Sequence, residues 1–329
     1  MEIKHRPAVL VGTPGRVADH LRREAFDTAF IQSLVLDEFD KSLEIGFEGE
    51  MRDILHALPG VGRKILTSAT QGVEIPRFVG LKSPQVLDFL EDKISQLQVK
   101  KVLSPTKDKL ETLGQLLGQL GSKNGIIFCN FKDSIQRVSD YLSDHDISHG
   151  VFSGGMEQID RERSLIKFRN GTYPLLLATD LAARGIDVPE LDFIIHYHLP
   201  LRAEEFIHRN GRTARMNSEG TAYILQYEKE PLPDFVGRPA LEKLLPSTLP
   251  APSAWSTLLI SGGRKDKISK GDIAGFFLKQ GGIQSDALGA IELKTDCAFV
   301  AVKSVVLEQL LSKVNNQKLK EKKVRISLI

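Results

Sequence analysis

Cysteine, tryptophan and long apolar runs are the scarce features of this 329-residue chain. Its two cysteines, Cys129 and Cys297, lie in separate apolar, strand-like runs, which excludes a disulfide framework or zinc cluster and leaves them as small buried hydrophobes. No apolar stretch nears the roughly 18 residues of a membrane span, and the opening MEIKHRPAVLVG has no signal-peptide core. The expected setting is cytoplasmic, with no membrane partner. Glycine followed by lysine occurs nowhere in the chain. A phosphate-gripping loop of the form G-x-x-x-x-G-K-[ST], whose backbone amides cradle phosphates while the lysine reaches the terminal ones, is therefore absent from these residues.

What is present is ordinary for a water-exposed protein, at 41% hydrophobic and 26% charged residues. The length suits two or three domains of about 100 to 200 residues each. The net charge of +2 hides an asymmetry, because residues 253–329 hold 13 Lys and Arg against 7 Asp and Glu. Such a basic tail is a candidate for contact with phosphates.

From residue 8 to about 227, β-rich apolar runs alternate with segments of helical period. This is the pattern of an α/β protein with parallel sheets covered by helices. The strand candidates are AVLVGT, SLVLDE, RKILTSAT, GIIFCN, PLLLATD, FIIHYH and TAYILQY, with a further strand leading into the helix KLETLGQLLGQL. The composition breaks divide the chain into 1–93, 94–230, a linker 231–252 and a tail 253–329. The linker holds six of the fifteen prolines and is read as irregular, with one short helix over Ala240–Leu245. The tail reads strand, helix, strand, strand, helix, strand, a small α+β domain of the kind used by RNA-recognition modules and by many metabolic domains.

Several strand candidates end in chemically suggestive residues. Asp37-Glu38-Phe39-Asp40 follows SLVL, and carboxylates at a strand end can hold magnesium through water and orient an attacking water; alternatively they cap the next helix. Ser68-Ala69-Thr70 offers hydroxyls to a neighbouring carboxylate, or a helix cap. Thr13-Pro14-Gly15-Arg16 suits close approach to a phosphodiester backbone, or simply starts a helix with proline. An Arg-Gly pair between carboxylates in Thr179–Asp187 is hard to explain by packing. In His208–Arg215, Arg212 and Arg215 are read as sharing one face of a helix begun by AEEFI, where they could neutralise a phosphoryl group or form a solvated basic end.

The strings TPGR, DEFD, SAT, IIFCN, QIDR, TDLAARGID and HRNGRTAR, in this order and spacing, resemble the motifs of DEAD-box RNA helicases. The resemblance covers residues 8 to about 227 and implies tandem RecA-like domains of the P-loop NTPase class, the first incomplete. It further implies an ATP-dependent helicase that separates short RNA duplexes, with ATP and Mg2+ as cofactors. Asp37, holding Mg2+ through water, and Glu38 would be catalytic together with the arginine fingers Arg212 and Arg215. Asp40, Ser68, Thr70 and His208 would couple hydrolysis to RNA grip, and Gly185 and Asp187 would contact ATP. RNA would be held by Thr13, Gly15, Arg16, Arg161, Thr179 and Arg184.

Three departures stand out: Phe39 replaces the alanine of the DEAD motif, and Asn210 and Ala214 replace an isoleucine and a glycine of the last motif. The resemblance also implies that the chain opens inside the first domain, just ahead of TPGR. The 329 residues alone are then expected to bind RNA but turn over ATP poorly, with residues 1–92 less protected from hydrogen exchange than 96–227. A non-enzymatic RNA-binding clamp is the alternative.

SGGRKDKISKGDIAGFFLKQGG resembles the carboxyl-terminal RNA-binding domain of DbpA-type bacterial helicases, an RRM-like module. That implies structured ribosomal RNA as partner, a role in ribosome assembly, and a monomeric protein. Base stacking on the central strands is poorly supported, because Phe299 is the aromatic left there. The glycines and cations of Gly262–Lys267, above all Arg264, Lys265 and Lys267, are the better RNA contact, or else a solvated loop.

Overall fold

The computed structural model describes residues 7–44, 46–68, 75–88, 97–180, 188, 190–213 and 220–329. The chain divides into two compact units, Met1–Ile94 and Ser95–Ile329.

In the second unit, uninterrupted apolar runs dictate the architecture. β4 (Gly125–Phe128), β6 (Leu175–Ala178) and β7 (Phe193–His196) are buried at every position, as strands covered on both faces must be. They join β3 (Leu97–Ser104), β5 (His149–Phe152), β8 (Gly220–Tyr227) and β9 (Ala240–Leu241) in a seven-stranded parallel sheet, in the order β5-β6-β4-β7-β8-β3-β9. Alternate residues face opposite layers. Ile127 and Ile195 pack with helices α4 (Leu110–Leu120) and α5 (Lys132–Asp144), whereas Ile126, Phe128 and Ile194 join Phe168 of α6 (Gln158–Arg169). Leu113, Leu116, Leu117 and Leu120 follow the helical period that gives α4 one apolar stripe. Gly125 starts β4 because a Cβ there would lie 2.3 Å from the Phe193 ring.

The proline-rich segment is strapped to this sheet. Ala240–Leu241 adds an edge strand beside Lys100 and Lys101, where a short helix is expected from the sequence. Lys100 pairs with Glu242 at 2.8 Å, and Gln119 donates to Glu242 at 2.8 Å and accepts from the Leu245 amide at 3.0 Å. Pro239 and Pro246 only flank this stretch; the open edge of β3 supplies its hydrogen bonds, the Glu242 amide reaching the Lys101 carbonyl at 2.8 Å, and so draws it into an outer strand.

The tail follows the expected order. β10 (Trp255–Ile260), β11 (Leu288–Leu293), β12 (Ala298–Lys303) and β15 (Ile326–Leu328) form an antiparallel sheet, β11-β12-β10-β15. A small hairpin, β13 (Lys318–Leu319) and β14 (Lys322–Lys323), precedes the last strand. One sheet face, with Leu258, Ile260, Val300 and Val302, packs on α8 (Lys270–Gly275), the π-helical turn that follows it, and α9 (Leu307–Val314). Ser269 and Asp272 exchange side-chain and amide bonds at 3.2 and 2.8 Å, a capping box that fixes the start of α8.

The first unit is thinner. β1 (Ser33–Leu36) and β2 (Arg63–Leu66) pair in parallel, flanked by α1 (Pro14–Arg22), α2 (Phe39–Glu44) and α3 (Glu48–Ala57). Both strands alternate exposed and half-buried residues. The expected strand AVLVGT is not one: residues 8–12 are irregular, with Val9 and Val11 at 76% and 89% exposure. β-Branched residues favour a strand only where a neighbour supplies hydrogen bonds and a packing surface.

Candidate nucleotide and RNA site

The parallel register of β1 and β2 brings Leu36 opposite Leu66, so Asp37 and Thr67 emerge side by side. The Thr67 hydroxyl donates to Asp37 Oδ1 at 2.5 Å and accepts from the Glu38 amide at 3.2 Å. The Phe39 amide donates to the Thr67 carbonyl at 2.9 Å. Glu38 is held at φ 47°, a left-handed conformation uncommon outside glycine, which turns the chain sharply from strand into α2. Thr67, a hydroxyl to which the sequence assigned no role, thus sits against the Asp37 carboxylate, one residue before Ser68. Ser68 is exposed, and Thr70 lies outside the described residues.

The Phe39 departure has a packing explanation. Its ring is 2% exposed and joins Met51 and Val79 in a small core, and Asp40 beside it is buried to 4%. Among the described residues no group of three or more His, Cys, Asp or Glu side chains gathers to enclose a metal. An exposed strand-end carboxylate engaged on one oxygen suits a magnesium ion held mainly by water and phosphate, rather than by a protein cage.

Thr13 is the exposed residue preceding α1, Pro14 opens that helix, and Arg16 is exposed on it. Nothing stands within 4 Å of a Cβ placed on Gly15, so the backbone there is open to a ligand.

In the second unit the carboxyl ends of β4, β6 and β7 converge where the strand order reverses, the usual ligand position of an open α/β sheet. They are locked by Arg209, whose side chain is 1% exposed at the end of α7 (Ala203–Asn210). It donates from Nε and NH2 to the two oxygens of Asp180, at 2.6 and 2.5 Å. NH2 also reaches Asn130 Oδ1 at 2.8 Å, and NH1 reaches the His198 carbonyl at 2.6 Å and His196 Nδ1 at 3.5 Å. All five guanidinium N–H groups find acceptors, the condition under which a buried arginine is tolerated.

The same network sets the histidines. His196 is fully buried and donates to Asn210 Oδ1 at 3.0 Å; burial and the Arg209 charge push its pKa down to about 3. His198 falls to about 4, mainly through burial and then through Lys109 and Arg209. Both rings are neutral at physiological pH. Asn210, a departure from the family pattern, thereby satisfies a buried imidazole. Burial likewise drives the Cys129 thiol up to about 12, so it is an inert core residue.

His208 is half-buried on α7, but that helix stops at Asn210. Arg212 therefore lies in the turn beyond it, its amide bonded to the Arg209 carbonyl at 3.1 Å, and not on a helical face as expected. Glycine at 211 and the bond between the Thr213 hydroxyl and the Leu191 carbonyl, 2.6 Å, end the helix. Thr179 sits half-buried at the end of β6, and Arg161, on the first turn of α6, lies over the Phe152 ring at 4.8 Å. Arg184, Gly185, Asp187 and Arg215 lie outside the described residues. Asn130, Asp180 and Arg209 lie within the sequence motifs, but the motifs alone assign them no role. The signal was the recurrence of an amide, an acid and a base at three strand or helix ends.

In the tail, Arg264, Lys265 and Lys267 are exposed. Their loop is packed against its surroundings: Gly262 and Gly263 are buried, and a Cβ on Gly263 would lie 2.6 Å from Cys297 N. Asp266 accepts from the Gly263 amide at 3.0 Å and from Lys322 at 2.7 Å, which pins the turn and leaves the neighbouring cations outward.

Two parallel-sheet segments bearing strand-end carboxylates and a buried arginine fork, followed by an RRM-like domain, define a RecA-like nucleic-acid motor architecture. The sequence matches the DEAD/DEAH box helicase family over residues 1–78, the helicase conserved C-terminal domain over 108–217, and the DbpA RNA binding domain over 257–328. It is 30% identical over 99% of its length to the ATP-dependent RNA helicase DbpA of Escherichia coli, covering 74% of that protein. Identity to the Bacillus subtilis DbpA is 28%, over 99% of this chain and 75% of that one. A solved structure of S. cerevisiae Dbp5 bound to RNA and ADP BeF3 shares the fold, with a TM-score of 0.59 over 70% of this chain and 62% of Dbp5, at 24% identity. The chain belongs to the DEAD-box family of ATP-dependent RNA helicases, and its tail is a DbpA-type RNA-binding domain. No helix among the described residues is long and apolar enough to cross a membrane.

Proposed function

We propose that this protein grips and remodels structured ribosomal RNA during ribosome assembly, as a monomer in the cytoplasm. The observation that carries this reading is the Arg209 fork on Asp180 and Asn130, because it ties the segment bearing Arg212 to the strand ends bearing Thr179. A cation so anchored can meet a phosphate without first losing conformational freedom.

In this reading Thr67 aligns Asp37, which holds Mg2+ through water, while Glu38 orients the hydrolytic water. Arg212 and Arg215 neutralise phosphoryl charge, and Gly185 and Asp187 contact the nucleotide. Asp40, Ser68, Thr70 and His208 link that site to the RNA grip. Thr13, Gly15, Arg16, Arg161, Thr179 and Arg184 hold the RNA backbone, and Arg264, Lys265 and Lys267 add a recognition contact. Bound ATP supplies the free energy that separates a weakly binding from a tightly binding state.

Because these 329 residues include no Gly-Lys phosphate loop, they bind RNA while turning over ATP far more slowly than the family norm. That same absence favours a second reading, a non-enzymatic RNA clamp. RNA-stimulated ATPase and RNA retention measured together separate the cases. Retention with slow, RNA-dependent turnover supports the remodelling reading, and retention with none supports the clamp. Turnover matching a DbpA protein contradicts the slow turnover proposed for these residues, and no RNA retention contradicts both readings.

A further inference from the structure

The RRM-like domain does not leave its sheet open. The face opposite its helices carries Trp255, Thr257, Phe299 and Glu292, with Thr257 fully buried and Phe299 at 6% exposure. In RRM modules that face is the one that stacks RNA bases. Here it meets the end of α6 and the residues after it. Ser253 donates to the Gly171 carbonyl at 2.6 Å, and the Thr172 and Thr257 hydroxyls are 2.7 Å apart. Trp255, the single tryptophan of the chain, fills a slot between two glycines: a Cβ on Gly171 would lie 3.5 Å from its ring, and one on Gly289 would lie 2.9 Å away.

Charge fixes the register of this contact. Arg169 forks onto Glu292 at 2.7 and 2.8 Å, with both side chains largely covered. Two turns earlier on the same helix face, Glu162 pairs with Lys294 at 2.6 Å. The polarity is crossed, with acid then base on the helix and acid then base on one face of the strand run in reverse. Reversing the contact would set Arg169 against Lys294 and Glu162 against Glu292, and sliding it would create one of these like-charge pairs and leave the other charge without its partner, so misdocking is disfavoured. Next to Glu162 stands Arg161, at the other end of α6 from Arg169 and about 12 Å along its axis.

We propose that Arg169, Glu162, Glu292 and Lys294 are positioning residues that lock the RNA-recognition domain onto α6, holding its outward cations at a fixed offset from the Arg161 RNA track. The sheet face serves as the internal dock, and RNA is met by the loop bearing Arg264, Lys265 and Lys267. The RNA part of this proposal rests on the function proposed above; the dock does not. Two grips on one rigid body raise each other's effective concentration, whereas a loosened domain loses that gain.

The test uses the full chain with C297S, carrying nitroxide labels at D144C and V305C. The labelled protein should give one narrow distance distribution, R169E a broad one, and R169E/E292R a narrow one again, because the double exchange restores an acid-base pair. Trp255 emission should shift to the red in R169E and return in the double variant. A narrow distribution in R169E, or no recovery in the double variant while R169E is broad, overturns the dock. Retention of total ribosomal RNA is then compared. A loss of several-fold in R169E, recovered in R169E/E292R, supports the positioning role. Equal retention with a broad distribution overturns that role, and no retention by the wild type with a narrow distribution leaves the dock standing and sinks the RNA reading.

Discussion

The two parallel sheets of this chain are built from similar sequence and reach different ends. SLVL and LLLA are both short apolar runs, yet Leu175–Ala178 is buried at every position while Val35 in the first unit is 56% exposed and its neighbour Ile65 44%. The difference lies in what covers them. The second sheet has seven strands with helices covering both faces, whereas β1 and β2 pair with each other among the described residues. Apolar pattern gives a strand its potential to be buried, and partners far away in sequence realise it.

The largest effect separating the two units should come from Arg209→Ala. It strands Asp180 and the buried neighbours, at a cost of about 3 to 5 kcal/mol. Urea unfolding followed by the second unit's signals should show the full loss, with the first unit's amides unchanged. Phe39→Ala works the other way. It restores the alanine of the family motif but empties the core made with Met51 and Val79. The expected cost is about 3 kcal/mol, at the low end for a phenylalanine because half-exposed surroundings can collapse, and it should be confined to the first unit. Equal effects on both units would mean that they unfold together.

Acid sharpens the comparison further. His196 and His198 have folded pKa values of about 3 and about 4, below the ordinary 6.5 that they regain on unfolding. The unfolded chain therefore binds more protons between these values, and stability is complete above pH 6.5 and lost as pH falls toward 4. Thermal unfolding of the second unit across that window should show the decline, and His196→Gln with His198→Gln should flatten it. The smallest effect belongs to Thr67→Val. Losing the hydroxyl bond to Asp37 costs about 1 kcal/mol, which local exchange of the Glu38 amide should report.

The sequence made much of this legible. Ordered motifs identified the family, the continuous runs GIIF, LLLA and FIIH read as buried strands, and the tail's element order was correct. What escaped it depended on tertiary partners. AVLVGT carries strand-forming residues and makes no strand, and β5 was hidden because Gly150 interrupts its apolar pattern. The proline-rich segment looked like a free linker because nothing local foretells that Glu242 will meet Lys100 and Gln119. Within the site, Arg212 lies in the turn beyond the helix expected to carry it, and Thr67, to which the sequence assigned no role, holds Asp37. Helix ends and side-chain partners are decided by capping and by hydrogen bonds across strands, which periodicity does not encode. The fork of Arg209 is the clearest case, since its acceptors come from residues 130, 180 and 198.

Native-state hydrogen exchange tests the central contrast most directly. The amides of β4, β6 and β7 should exchange through global unfolding of the second unit, and those of β1 and β2 at least about 100-fold faster through local opening. Equal protection in the two sheets would contradict the account, because it would mean that β1 and β2 are covered as fully as the interior strands of the seven-stranded sheet.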